Sequence, residues 1–462
     1  MDNRVREFFD SMRGKSVAFL GIGVSNTPLV KKFMEHGAVV TVCDKSTREK
    51  LGGVADELEA LGAKMSLGEN YLKDIDSEII FRTPGMKFHL PELDGYRRQG
   101  RVVTSEMEVF FDLCPCRIIA VTGSDGKTTT TTLISEFLKK QGYTVHLGGN
   151  IGRALLPVVD SIDSSDFAVV ELSSFQLISM RKSPDIAVVT NVAPNHLDIH
   201  KDMKEYVDAK KNIFLHQNAF SKTVLNLDNE ITDSFEPEVR GMAVKFSRRH
   251  EVFNGTYCDE NGDIYTVHNG EKQFVMNRDK IKIRGDHNVE NYLAALAAVD
   301  GLVDMDAVRD VAGEFGGVEH RIEFVRELDG VKYYNDSIAT NPTRTIAGLN
   351  AFDQKLIIIA GGYDKHIPFE PLAPKIVEKV KVLVLMGATA PKIEKVVREC
   401  GGFDPEELKI LHAGSMEEAV KLAREQAEPG DIVSLSPACA SFDKYKNFEI
   451  RGNHFKEIVN SL

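Results

Sequence analysis

The chain has 462 residues, 42% apolar and 27% charged, a balance that excludes a disordered or fibrous protein. With 57 basic and 69 acidic side chains its net charge is −12, which argues against nucleic acid as a partner. Any anionic ligand must be held by local cations and backbone amides. The six cysteines show no zinc spacing, residues 1–15 lack the apolar run of a leader, and no apolar stretch approaches the ~20 residues that span a bilayer. A reduced, cytoplasmic protein with no membrane partner is expected.

In chain order, short apolar runs rich in Val and Ile alternate with helical segments. Strands are expected at 16–20, 39–43, 78–81, 117–122, 167–171, 186–191, 223–227, 331–335, 356–360, 382–386 and 432–436. Such runs rarely alternate in polarity, as when helices cover both faces of a parallel sheet. The fold class is therefore α/β, with doubly wound sheets. Between 246 and 283 the turn signals Glu260-Asn261-Gly262 and His268-Asn269-Gly270 point to antiparallel hairpins, so the central sheet is expected to be mixed. Boundaries at Cys114-Pro115-Cys116 and within 313–317 divide the chain into domains 1–112, 113–316 and 317–462.

The sharpest signal is Gly123-Ser124-Asp125-Gly126-Lys127-Thr128-Thr129, between the strand 117–122 and a helix reaching about Lys140. Glycines let backbone N–H groups converge on phosphate, and the helix N-terminus adds partial positive charge. Lys127 would reach the β- and γ-phosphates of ATP, and Thr128 would ligate Mg²⁺. The first glycine of the general phosphate-loop pattern is replaced by Val121. The competing reading is a plain glycine-rich strand–helix turn.

Three further residues stand out. Glu171 ends a strand, where α/β proteins place their sites, although a loop-edge acid fits too. His196 follows the strand 186–191 and could equally be structural. The segment 202–215 reads as a helix whose apolar stripe holds Met203, Tyr206, Val207, Ile213 and Phe214, and Lys210 falls inside it. An inward lysine loses part of its basicity through desolvation. A lysine snorkelling along apolar surface is the alternative.

The shortened Gly-x-x-Gly-Lys-Thr form, together with Glu171-Leu172-Ser173-Ser174-Phe175-Gln176, Asn191-Val192-Ala193-Pro194-Asn195-His196 and Tyr206–Lys210, resembles the Mur ligase family, which also includes the folylpolyglutamate synthetases. Motifs of that resemblance run through essentially the whole chain. It implies a Rossmann-like domain for the UDP substrate, a central phosphate-loop ATPase-type mixed sheet, and a doubly wound C-terminal domain for the amino acid. It further implies two Mg²⁺ ions, ATP as co-substrate, Glu171 and His196 on the second metal, and a carbamate on Lys210. Lys127, Glu171, His196 and Lys210 are the implied catalytic residues. Thr128, Glu171, His196 and Lys210 form the implied metal set, and Asn288, Asn291, Arg321 and Asp336 join Gly123–Thr129 around ATP. The asparagines could also be plain helix-start residues, and Arg321 and Asp336 a surface charge and a turn.

The outer domains would set specificity. Gly21-Ile22-Gly23-Val24-Ser25-Asn26 followed by Asp44 looks like a dinucleotide fingerprint with Asn26 in place of its third glycine. The resemblance instead puts the uridine diphosphate on Ser25, Asn26, Asp44, Thr83, Pro84, Gly85 and Asn150. The 434–452 stretch resembles the family branch that adds D-glutamate to UDP-N-acetylmuramoyl-L-alanine, and implies that Ser441 and the backbone near Phe448 hold the side-chain carboxylate of glutamate, and Thr340 and Lys365 its α-carboxylate. Ile338 departs from that branch, where lysine is common. The expected activity is amide formation through an acyl phosphate in peptidoglycan synthesis, by a monomer acting on small molecules. Alternatives are a related ligase with another amine, or a nucleotide-binding regulator without turnover.

Overall fold

The computed structural model describes residues 3–22, 26–194, 200–283, 285–364 and 367–462. Two compact units divide the chain, Met1–Phe315 and Gly316–Leu462. No described helix is long and apolar enough to cross a membrane.

The first unit holds two sheets. One contains β1 (Ser16–Leu20), β2 (Val39–Asp44), β3 (Lys64–Leu67), β4 (Ile79–Arg82) and β5 (Val102–Thr104), all parallel, in the order β3-β2-β1-β4-β5. The chain winds outward on both sides of β1. The loops after β1 and β4 therefore part at the switch point, where such sheets open a crevice. Its core is aromatic. Phe33 is fully buried, with its ring edge-on to Phe8, Phe9, Phe19 and Phe81 at centroid distances of 6.2, 5.6, 5.4 and 5.2 Å.

The other sheet has nine strands: β6 (Arg117–Thr122), β7 (Val145–Gly149), β8 (Phe167–Glu171), β9 (Ile186–Val189), β10 (Lys222–Asn226), β11 (Met242–Ser247), β12 (Gly255–Cys258), β13 (Asp263–His268) and β14 (Glu271–Asn277). Their order is β14-β13-β12-β11-β10-β9-β6-β8-β7. β6 lies between β8 and β9, so the loops following all three leave the same end of the sheet. Only β12–β13 and β13–β14 are antiparallel, with Gly262 and Gly270 in their turns. β11 and β12 run parallel, which corrects the reading of 246–283 as hairpins throughout. Gly255 has φ +129° and a Cβ there would lie 1.9 Å from the Lys245 carbonyl oxygen, so this glycine serves close strand approach.

The second unit has one six-stranded sheet: β15 (Glu323–Leu328), β16 (Val331–Asn335), β17 (Leu356–Ala360), β18 (Val380–Met386), β19 (Lys409–Ala413) and β20 (Ile432–Leu435). The order is β15-β16-β20-β17-β18-β19, with only β15 antiparallel. At the end of β16, Asp336 is buried and accepts from the Ser436 hydroxyl (3.0 Å) and the Ile322 amide (3.3 Å). Burial pushes its carboxyl up to about 7.

The long apolar strands come out as expected, with ends displaced by one or two residues. The helix expected over 202–215 is Met203–Lys211, capped by the Asp202 side chain. Beyond it, tight turns from Ile213 and Phe214 to the carbonyls of Lys210 and Lys211 replace α-helical bonds, while both side chains stay buried.

Two outcomes follow from this packing. Phe33→Ala removes a ring packed against four others and should cost about 3–5 kcal/mol in urea unfolding; a loss below about 1 kcal/mol would mean the cluster is not a packed core. Asp336 holds a proton in the folded state at pH values where the unfolded carboxyl has lost it. Its contribution to stability should therefore fall as pH rises from about 4 to about 7. Thermal unfolding of the wild type should lose ground to Asp336→Asn across that window, and parallel pH curves would contradict the assignment.

Candidate active site

The loop after β6 is held open from below. The Ser124 amide donates to the Asn191 carbonyl (2.9 Å), and the Asp125 amide to the Asn191 side chain (2.9 Å). The Thr190 hydroxyl donates to the Asp125 carbonyl at 2.6 Å. Ser124 Oγ donates to the Ala193 carbonyl (2.9 Å), accepts from the Ala193 amide (2.9 Å) and meets the Tyr206 hydroxyl at 3.0 Å. Two glycines are sterically required. A Cβ on Gly123 would sit 1.9 Å from Thr190 Oγ1, and one on Gly126, at φ +76°, 2.3 Å from Asn291 Oδ1. The helix Lys127–Gln141 then begins with its backbone N–H groups at the loop.

Lys127 donates to the carbonyls of Gly123 (3.0 Å) and Ser124 (2.8 Å). Lys210, 1% exposed, donates to the same Gly123 carbonyl at 2.7 Å and lies 3.4 Å from Thr122 Oγ1. Its ammonium also sits 4.7 Å from the Tyr206 ring centre. Burial holds the Lys210 amine well below the usual lysine value, and the Lys127 charge presses the same way against the opposing pull of Glu171 and Asp125.

Glu171 is buried at the end of β8, not at an exposed loop edge. Its carboxylate accepts from the Thr128 hydroxyl (2.6 Å) and the Asn150 amide (2.7 Å). Asn150, expected among the UDP-substrate contacts, therefore lies on the Glu171 carboxylate. A Cβ on Gly149 would stand 2.2 Å from the Glu171 carbonyl oxygen, so only glycine permits this approach. Asn291 Nδ2 donates to Asn288 Oδ1 (3.2 Å), and the Thr130 hydroxyl lies 3.3 Å from Asn291 Oδ1. The structure thus brings together Gly123–Thr128, Glu171, Lys210, Asn150 and Asn291. Thr129 is half-buried in the first turn of the helix that Lys127 opens. Ser25, His196 and Lys365 lie outside the described residues. Among the described residues no cluster of three His, Cys, Asp or Glu side chains could hold a metal. The hard oxygens of Thr128 and Glu171 nonetheless suit Mg²⁺.

Sequence reasoning missed the supports. His200 is buried and bonds Ser174 Oγ (2.8 Å) and Glu205 Oε2 (3.2 Å), stacked on Phe175 at 5.1 Å. It joins the segment after Glu171 to the helix carrying Lys210. Its only sequence signal is its position just before that helix.

At the first sheet, Asp44 accepts from the amides of Ile22 (2.6 Å) and Ser46 (2.7 Å), fixing the loop after β1. Asn26 is buried and its amide donates to the carbonyls of Leu20 (3.2 Å) and Gly21 (3.1 Å). Thr83 packs against Gly21, and Thr83-Pro84-Gly85 turns back through a bond from the Met86 amide to the Thr83 carbonyl (3.2 Å). Arg82, just before this turn, is buried and reaches the Phe175 carbonyl (3.1 Å) and Ser179 Oγ (2.7 Å).

In the second unit, Ser337 Oγ donates to the Phe448 carbonyl at 2.7 Å. Arg451, buried and not singled out from the sequence, binds the carbonyls of Ser337 (2.8 Å) and Cys439 (3.1 Å). Burial lowers its guanidinium to about 10. It thereby holds the segments after β16 and β20 together, near buried Ser441. The Thr340 amide donates to the Ile338 carbonyl (2.8 Å). Arg321 is exposed on the turn before β15, where His320 and Ile322 take φ values of +63° and +47°.

Residues 121–299 match the Mur ligase middle domain, and residues 320–439 the Mur ligase glutamate ligase domain. A UDP-N-acetylmuramoylalanine--D-glutamate ligase of Acetivibrio thermocellus is 54% identical, and one of Clostridium botulinum 50%, each over the full length of both chains. Among solved structures, a UDP-N-acetylmuramate-alanine ligase of Thermotoga maritima aligns at TM-score 0.56 and 18% identity, covering 97% of this chain and 99% of its own. A pseudomurein peptide ligase type C of Methanothermus fervidus aligns at 0.53 and 18%, covering 97% and 100%. These two likenesses concern the fold, and the full-length identity carries the relationship: the chain belongs to the Mur ligase family.

Proposed function

We propose that this chain joins D-glutamate to UDP-N-acetylmuramoyl-L-alanine at the expense of ATP. The observation that supports this most is the cluster at the end of β6, where Lys127, Lys210, Thr128 and Glu171 surround one glycine loop. Residues 1–112 are assigned the UDP end of the substrate, through Ser25, Asn26, Asp44 and Thr83-Pro84-Gly85. Residues 113–316 are assigned ATP, and residues 317–462 the amino acid, through Thr340, Lys365, Ser441 and the Phe448 backbone. Arg321 and Asp336 are assigned to the nucleotide.

In this reading ATP binds with its phosphates on the amides of Gly123–Thr129. Lys127 leaves the loop carbonyls and follows the β- and γ-phosphates. A carboxylate oxygen of the substrate attacks the γ-phosphorus in line, the bond to the β-phosphate oxygen breaks, and ADP departs. The glutamate nitrogen then attacks the acyl carbon. Phosphate leaves, the nitrogen loses its proton, and an amide remains. Mg²⁺ would be held by Thr128, Glu171, His196 and Lys210, and when bound would neutralise phosphate-oxygen charge. Lys210 joins that set as a carbamate: its neutral amine adds to the carbon of CO₂, one proton is released, and the buried cation becomes an anion. The lowered basicity of Lys210 favours the neutral amine this requires.

Phosphate release should appear with UDP-N-acetylmuramoyl-L-alanine and D-glutamate, and not with other D- or L-amino acids. Lys127→Ala should reduce it by about 10³-fold or more, as for loss of a principal transition-state charge contact. Release that is independent of the amino acid would overturn the glutamate assignment, and a variant of near-normal rate the phosphate-loop assignment. Lys210→Ala should be inactive but regain part of its rate with added acetate or formate. An active Lys210→Ala enzyme would remove the carbamate from the scheme.

A further inference from the structure

From Asn335 to Thr343, the turn that leaves β16 carries no lysine or arginine, and Ile338 occupies its middle. An amino acid with two carboxylates bound beside Thr340 would meet no cation from this segment. The next residue supplies one. The helix Pro342–Asn350 is capped by Asn341, whose side chain accepts from the Arg344 amide at 3.0 Å. That cap sets Arg344 in the first turn, and its side chain folds back along the segment. Arg344 Nη1 donates to the Ile338 carbonyl at 3.2 Å. The Thr340 amide donates to the same oxygen at 2.8 Å. The guanidinium and the Thr340 backbone thus meet on one acceptor, and the cation stands at the residue assigned to the α-carboxylate.

We infer that Arg344 is a specificity-determining residue for the amine substrate, supplying from the helix the positive charge that Ile338 cannot. This rests on the assignment of D-glutamate above. The guanidinium is exposed, suited to a ligand arriving from solvent, and its planar fork matches a carboxylate. It already acts on this neighbourhood: Asp336 has Arg321 and Arg344 as the two cations that oppose its burial.

The test is steady-state phosphate release by the full chain with wild type, Arg344→Ala, Arg344→Lys and the double variant Arg344→Ala/Ile338→Lys, with thermal unfolding as the control for folding. Arg344→Ala should raise the KM for D-glutamate about ten-fold, near the lower range for losing a charged hydrogen bond, and change the KM for ATP less than about two-fold. Arg344→Lys should lie between the two. Ile338→Lys in the alanine background should recover most of the loss by returning a cation to the same turn. Replacing the substrate by D-isoglutamine, whose α-carboxylate is an amide, should cost the wild type more than Arg344→Ala. Equal changes in both KM values, or no recovery by Ile338→Lys, would overturn the inference. If wild type turns over a different amino acid and not D-glutamate, the glutamate assignment fails instead, and the same variants with that amine decide the role of Arg344.

Discussion

Two ammonium groups meet on one carbonyl oxygen, and the active site depends on what that costs. Lys127 and Lys210 both donate to the Gly123 carbonyl, at 3.0 and 2.7 Å, and Lys210 is almost wholly withdrawn from water. Like charges this close in a poorly solvated place repel strongly. The carbonyl accepts from both donors but carries no net charge of its own. The arrangement is relieved in two ways, by an arriving polyphosphate that draws Lys127 away or by loss of the Lys210 charge. Both are what the proposed chemistry asks for. The Glu171 carboxylate, held by hydroxyl and amide donors, offsets part of the Lys210 charge without undoing the effect of its burial.

Much of this was legible because its signals are local. The glycine loop, Lys127 and Thr128 announce themselves between an apolar strand and a helix, and the inward face of Lys210 follows from helical spacing. The strands of the parallel sheets were legible for the same reason, since buried runs such as Leu356–Ala360 leave no room for another reading. Short or half-exposed strands such as Lys64–Leu67 and Lys409–Ala413 were not, because their residues carry little apolar pattern. The parallel pairing of β11 with β12 was hidden because the turn signals at Asn261-Gly262 and Asn269-Gly270 speak only for β12–β13 and β13–β14.

The supports of the site were illegible for a different reason. His200, Thr190 and Asn191 act through partners distant in sequence: Thr190 reaches Asp125 and His200 reaches Ser174. Such bonds exist only once β6, β8 and β9 lie side by side. Asn150 shows the converse. Its motif was evident, but its closeness to Glu171 depends on Gly149 letting two backbones approach. Sequence spacing locates a residue on an element, whereas the sheet order decides which elements share an end.

The same physical device recurs around the assigned sites. Arg82 rests on the Phe175 carbonyl and the Ser179 hydroxyl, and Arg451 on the carbonyls of Ser337 and Cys439. These cations are hydrogen-bonded by neutral acceptors, whereas ion pairs such as Lys31 with Glu57 and Arg48 with Asp56 lie on open surface. An ion pair cancels most of its field at a distance, while a cation on a carbonyl keeps it. For a chain of net charge −12, this keeps positive potential beside the sites assigned to anions. The burial that makes Lys210 and Arg451 less basic is the same burial that makes a bound anion worth more to them.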